Sequence, residues 1–181
     1  MMENRQKTEN QLLERLNKRT EVKPFIQEVI HLITGAIDQL MLKVFRKDDY
    51  AVKYAVEPLL LGDGPLGELA VRLKLVYALG AISREIYEDI ELFLALNETL
   101  QQEQQRYEFT DDEIIGPIRM LHCMGVLPEM MRFDQPEDVI DQQLIDLQKY
   151  RYKQMVRSSL VLAVTVLVTE ILDTGEIGIG I

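Results

Sequence analysis

The side chains best suited to catalysis or metal binding are few: His31, His122 and Cys123, an acidic triplet Asp111-Asp112-Glu113, and a glycine-rich turn Gly62-Asp-Gly-Pro-Leu-Gly67. A soft-metal site needs ligands that converge, whereas adjacent residues of a helix point about 100° apart at 3.6 residues per turn. His122 and Cys123 therefore cannot share one ion, and a core or surface role suits both histidines better. A lone cysteine without a base and an acid arranged around it reads as a small apolar residue rather than a nucleophile. The acidic triplet follows Thr110, and Thr110-Asp-Asp-Glu113 matches the capping box, in which the first side chain accepts from the third helical N–H and the last reaches back. Negative charge at a helix start also suits the macrodipole. The glycine turn lacks the Lys-Ser/Thr ending of a phosphate loop and follows no strand, so it reads as a corner between helices. These residues imply no catalytic centre, no metal and no cofactor, and the chain is not expected to be an enzyme.

Helices must carry these groups, because the apolar residues recur at steps of three and four. Pro24 suits an early helical position. Phe25, Val29, Ile33, Ile37, Leu40 and Val44 follow at steps of 4, 4, 4, 3 and 4, a long amphipathic helix. Gly35 inside it marks either a close helix contact or a tolerated glycine. The segment from Asp49 runs through Ala51, Val52, Ala55 and Val56 to Pro58, whose missing N–H ends or kinks it. Beyond the glycine corner, Leu66, Leu69, Leu73 and Val76 form one apolar row and Val71, Leu75 and Leu79 another. This predicts a helix packed from two directions, with Glu68 and Arg72 paired along it. Gly80 stops it, and Ser83 caps a helix bearing Ile86, Ile90, Phe93 and Leu100.

A further helix opens at Thr110, with Pro117 able to divide its first turn from a segment running to Met124. Gly125, Pro128, Met130, Met131 and Pro136 mark a long irregular connection. The last helix starts near Glu137, sets Ile140, Leu144, Leu147 and Tyr150 on one side, and becomes apolar all round over Leu160–Val168, the mark of a central helix. Residues 8–19 offer only Leu12, Leu13 and Leu16, too narrow an edge to fix a docking position, so a mobile N-terminal helix is expected. Residues 173–181 hold three glycines without helical period and read as a flexible tail. No alternating strand pattern and no internal repeat is present. The expectation is an all-α single domain over residues 1–181, a helical bundle of about seven helices with a central apolar C-terminal helix.

Composition narrows the function classes. A chain of 181 residues can bury roughly 70% of its unfolded surface, so no staple is needed. One cysteine excludes an intramolecular disulfide, and no charged n-region precedes an apolar h-region, which together point to the cytoplasm. The apolar run Leu160–Val168 is too short to span a bilayer. Net charge is −10, and residues 101–150 hold 4 basic against 11 acidic side chains. Such a middle would repel a phosphate backbone. The nearest approach to a helix-turn-helix pairs Leu66–Leu79 with the helix after Ser83, but the would-be recognition helix carries Glu85, Glu88, Asp89 and Glu91 against Arg84. The alternative basic face, Lys149, Arg151, Lys153 and Arg157 with Tyr150 and Tyr152, surrounds a helix that is becoming core.

As a string of residues, Val44-Phe-Arg-Lys-Asp-Asp-Tyr-Ala-Val-Lys-Tyr-Ala-Val-Glu-Pro-Leu-Leu60 closely resembles the bacterial mannitol operon repressor family. So do Gly62-Asp-Gly-Pro-Leu-Gly67, Val71-Arg-Leu-Lys74, Tyr87-Glu-Asp89, Phe109-Thr-Asp-Asp-Glu-Ile114 with Gly116-Pro117, and Leu121-His-Cys123. The resemblance spans roughly residues 9 to 172 and implies a transcriptional repressor of mannitol uptake and utilisation genes. It supplies no catalytic or ligand residues. Combined with the acidic charge, it implies action through a protein partner of a transcriptional or sugar-uptake regulatory system, with DNA contacted indirectly and no membrane; the alternative is an atypical helical surface that binds operator DNA directly. A homo-oligomer stays open. The candidate partner surface is the corner formed by Arg46, Lys47, Asp48, Asp49, Lys53 and Glu57, where both charge signs crowd two helix ends and Val52, Ala55 and Val56 would hold the backbone still; such a patch suits specificity more than raw affinity. The same charges also serve as helix caps and pairs, and the Met130–Met131 loop is the next place to look.

Overall fold

The computed structural model describes residues 2–45, 50–60, 64, 66–129 and 142–174. Among them the chain forms seven α-helices and one 3₁₀ turn: α1 (Met2–Asn17), α2 (Val22–Val44), α3 (Tyr50–Leu60), α4 (Leu69–Ala78), α5 (Arg84–Gln102), α6 (Asp112–Met120), the turn His122–Met124, and α7 (Gln142–Thr174). No strand occurs among the described residues.

The periodic row of α2 becomes the centre of the core. Phe25, Val29, Ile33, Ile37 and Leu40 are fully buried, and so are Ile26, Ala36 and Met41 on its flanks, because α1, α4, α5 and α7 all pack against it. Phe109, in the loop before α6, closes one end edge-to-face on Phe25 with ring centroids 5.4 Å apart. Gly35 faces solvent with open space around it, so it is a tolerated glycine and not a close helix contact.

α7 departs from the expected central helix. Val156, Leu160, Val164, Leu167 and Ile171 are buried against α1 and α2, but Leu162 and Val166 face outward, as do Leu144, Leu147 and Tyr150 nearer its start. All-round apolarity reports composition, and the neighbours available decide which faces are covered. The central helix is α2.

The N-terminal segment is docked and is not a mobile arm. Leu12 and Leu16 enter the core, and buried Glu28 accepts from Arg15 Nε at 2.8 Å and from Arg19 Nη2 at 3.2 Å. Arg157 of α7 donates to the carbonyls of Asn17 at 2.7 Å and Arg19 at 3.0 Å, supplying partners that the end of a helix otherwise lacks. A narrow leucine edge suffices because ionic and carbonyl bonds complete it. The expected tail lies outside the described residues from 175 onward, and α7 itself continues to Thr174.

α4 is packed chiefly from one side. Leu73 and Val76 are buried, whereas Val71 and Leu79 of the second row are exposed. Arg72 turns away from Glu68 into the protein, pairs with Asp38 of α2 and donates to the Gly67 carbonyl at 3.3 Å. Its burial lowers the guanidinium pKa from the ordinary value. Ser83 caps α5 as its type predicts, its Oγ accepting from Ile86 N at 3.3 Å. The capping box at Thr110 does not form: α6 starts one residue later, with Asp111 as N-cap, and Asp111 Oδ2 accepts instead from the Glu108 N–H outside the helix. Pro117 lies inside a continuous α6 that ends at Met120, leaving the 3₁₀ turn separate.

Candidate partner surface

His122 and Cys123 are engaged with their own fold. Asp89 of α5 is buried, and its two carboxylate oxygens accept from the backbone N–H groups of His122 at 2.7 Å and Cys123 at 2.9 Å. A tight turn after a helix leaves such donors without partners, and one acid on a neighbouring helix holds both. His122 reaches Glu88 with Nε2 2.8 Å from Oε2, and Arg84 Nε donates to the other oxygen at 2.6 Å. Those two bonds, Arg84's first, hold the Glu88 carboxyl below its ordinary value. Cys123 is half-buried, and desolvation together with Asp89 pushes its thiol pKa up, away from the reactive thiolate. Among the described residues no group of three His, Cys, Asp or Glu side chains is placed to hold a metal ion.

The helix that would enter a DNA groove is likewise engaged. Arg84 and Glu88 pair along α5, the Tyr87 hydroxyl donates to Glu91 at 2.5 Å, and Asp89 is buried. The basic face of α7 is dispersed: Arg157 binds the end of α1, Lys153 pairs with Glu108, and the Tyr152 hydroxyl donates to the Pro128 carbonyl at 3.0 Å while accepting from Arg119. A cleft of about 340 Å³ between the start of α2 and the 106–109 loop mixes Glu21, Lys23, Arg106, Glu108 and Lys153 on its wall. Charges of both signs there include the Lys153–Glu108 pair.

α3 differs from every other helix. Its described side chains are exposed, and none of them belongs to the core. Tyr50 is 81% and Tyr54 74% exposed, and their rings stack at 6.3 Å with planes 24° apart. Leu59 and Ala55 are exposed on the same helix. Ala55 therefore does not anchor the corner in the way its spacing suggests. The helix continues two residues past Pro58 instead of ending there. Of the charged corner, Arg46, Lys47, Asp48 and Asp49 lie outside the described residues, as do the side chains of Lys53 and Glu57, whose backbones belong to α3. Charge density marks this corner in the sequence, and the structure adds the exposed aromatic pair. Two tyrosines four apart share one helix face, although Val52, Val56, Leu59 and Leu60 on the same segment do not by themselves mark it as exposed. Exposed aromatic side chains are enriched among interface anchors.

Fold and surface together define an all-α protein with a closed core and an exposed tyrosine pair on α3. The mannitol repressor family matches residues 8–172, and the chain belongs to that family. The mannitol operon repressor of Escherichia coli strain K12 is 52% identical over 170 residues, covering 94% of this chain and 85% of that protein. The X-ray structure of the MtlR–HPr complex from Escherichia coli contains a chain of 52% identity that superposes with a TM-score of 0.85, over 91% of this chain and 98% of that one. Fumarase E of Escherichia coli strain K12 is also related, 28% identical over 165 residues, which are 91% of this chain and 96% of that protein.

Proposed function

We propose that this chain is a repressor of mannitol uptake and utilisation genes that works by binding a protein, HPr, and not by reading operator DNA alone. One observation carries the reading: a relative sharing 52% identity and nearly the whole fold is held in a complex with HPr. The acidic net charge of −10 and the internal engagement of α5 support an indirect route to DNA. We place the contact at α3 and the corner before it, with Tyr50 and Tyr54 as anchors and Arg46, Lys47, Asp48, Asp49, Lys53 and Glu57 setting register. The chain acts in the cytoplasm and is not an enzyme; the bonds that occupy Asp89, Glu88 and Cys123 support the second point.

Retention of HPr from the same cell by the immobilised chain tests the partner directly. Retention is expected from the wild type, and its absence sinks the partner. Reversal of Arg46, Lys47 and Lys53 to Glu tests the location. A folded triple variant that binds HPr as well as the wild type removes the charged corner from the contact.

A further inference from the structure

The outward face of α7 is apolar where a helix of a closed core should be polar. Leu162 is 59% and Val166 51% exposed, and Ser158 one turn earlier is exposed beside them. We propose that this face binds a second copy of the same chain, through an antiparallel α7–α7′ contact with a two-fold axis at Leu162.

The argument rests on the symmetry of the charges. A two-fold interface uses one patch twice, so every feature on one side of the axis needs its complement at an equal distance on the other. Arg151 and Asp173 lie eleven residues before and after Leu162. Eleven residues are three turns plus about 20°, so both share the line of Leu162, each about 16 Å from it. Antiparallel pairing about Leu162 then brings Arg151 of each copy to Asp173 of the other. It also sets Ser158, four residues before the axis, against Val166, four after it, a small side chain opposite a larger one. Asp173 keeps capacity for a second cation: Arg5 Nη1 holds its Oδ2 at 3.1 Å, and the side chain is 42% exposed. Arg151 is exposed.

Part of the α7 charge is used within one chain, where Arg157 binds the end of α1, Lys153 pairs with Glu108 and Asp173 with Arg5, while Arg151 is exposed. Acids are favourable at a helix start and bases at its end, whereas the first half of α7 carries one acid, Asp146, against Lys149, Arg151, Lys153 and Arg157, and Glu170 and Asp173 lie near its end. Beside an antiparallel copy Arg151 meets Asp173 at both ends of the contact and the two macrodipoles oppose.

Sedimentation equilibrium of the full chain is expected to give twice the 21.0 kDa chain mass. Leu162→Asp should return it to the single mass with unchanged helicity and melting temperature, since that side chain contributes little to the core. Leu162→Cys in a Cys123→Ser background should form an interchain disulfide under mild oxidation, because a residue on the axis faces its own copy within disulfide reach. Val126→Cys in the same background should not, although Val126 is 99% exposed. The cross-link needs no apolar-to-charged change and keeps the test open if Leu162→Asp fails to fold. A monomer at every concentration up to the solubility limit overturns the proposal, as does a dimer that survives Leu162→Asp, or cross-linking no faster at 162 than at 126. A monomer in which Leu162→Asp abolishes HPr retention or binding to anionic lipid vesicles also overturns it, and gives the face to that occupant.

Discussion

Asp89 shows what one buried acid does when two donors converge on it. Its carboxylate accepts from His122 N and Cys123 N, both in the 3₁₀ turn after α6. Asp89→Ala leaves two donors without partners, at about 1–3 kcal/mol each, so a destabilisation of about 3 kcal/mol is expected. For a chain of this size that lowers Tm by about 6–12 °C in a thermal melt. Asp89→Asn keeps one acceptor oxygen and should lose about half as much; equal losses in the two variants would show that the carboxylate acts through packing and not through its bonds. Glu88 is half-buried, and its contribution is visible through pH. Bonds from Arg84 and His122 depress its folded pKa below the ordinary 4.5. A depressed carboxylate stabilises the fold above its unfolded pKa and loses that contribution as pH falls through the folded value. The stability difference between wild type and Glu88→Gln should therefore shrink as pH drops below 4.5 in a series of denaturant titrations.

At the scale of elements, α1 is fastened by polar bonds as much as by leucines. Arg157 binds the carbonyls at its end, and Glu28 gathers Arg15 and Arg19. Charge-assisted bonds of this kind, partly exposed, are worth about 1–2 kcal/mol together. Arg157→Gln should raise hydrogen exchange over residues 2–17 while α2 and α5 stay protected; uniform loss of protection would mean that α1 does not open as a separate unit. α3 makes the opposite case. Its tyrosines stack on each other and are mostly exposed, so replacing both by Ala should leave Tm within the range of surface substitutions. If they anchor the HPr contact, the same change should weaken binding by about 30-fold, the equivalent of about 2 kcal/mol. Titration calorimetry against HPr reads that number, and unchanged affinity would move the contact off α3.

At the scale of the whole molecule, ten excess acids set the approach to DNA. Specific operator binding typically lies at about 10⁻⁸–10⁻¹¹ M and depends on basic side chains displacing counterions. The isolated chain is expected to give no specific shift of mannitol-operator DNA near physiological salt. A specific shift in the absence of other proteins would restore direct reading. Kinship with Fumarase E calls for a second whole-protein measurement: hydration of fumarate by the purified chain should match the buffer rate. A turnover above it that survives further purification would contradict the non-enzymatic reading.

The sequence by itself determined that the fold is helical and where most helices run. Period is a property of neighbours along the chain, and rows such as Phe25, Val29, Ile33, Ile37 and Leu40 bury one face whatever packs on it. Ser83 could be read as a cap for the same reason, since its partner Ile86 N is three residues away. Net charge, and with it the poor fit to a phosphate backbone, needed no coordinates either, whereas the exposure of Tyr50 and Tyr54 did. Only the tertiary structure decided which helix is central, because α2 and α7 are both apolar enough and four neighbours close on α2 while α7 keeps an open face. It alone decided that Arg72 meets Asp38 and not Glu68, that Arg157 ends α1 across 138 positions, and that Asp89 holds a turn 33 residues on. Such bonds join residues that no local period links, and their partners exist only once the chain has brought distant helices together.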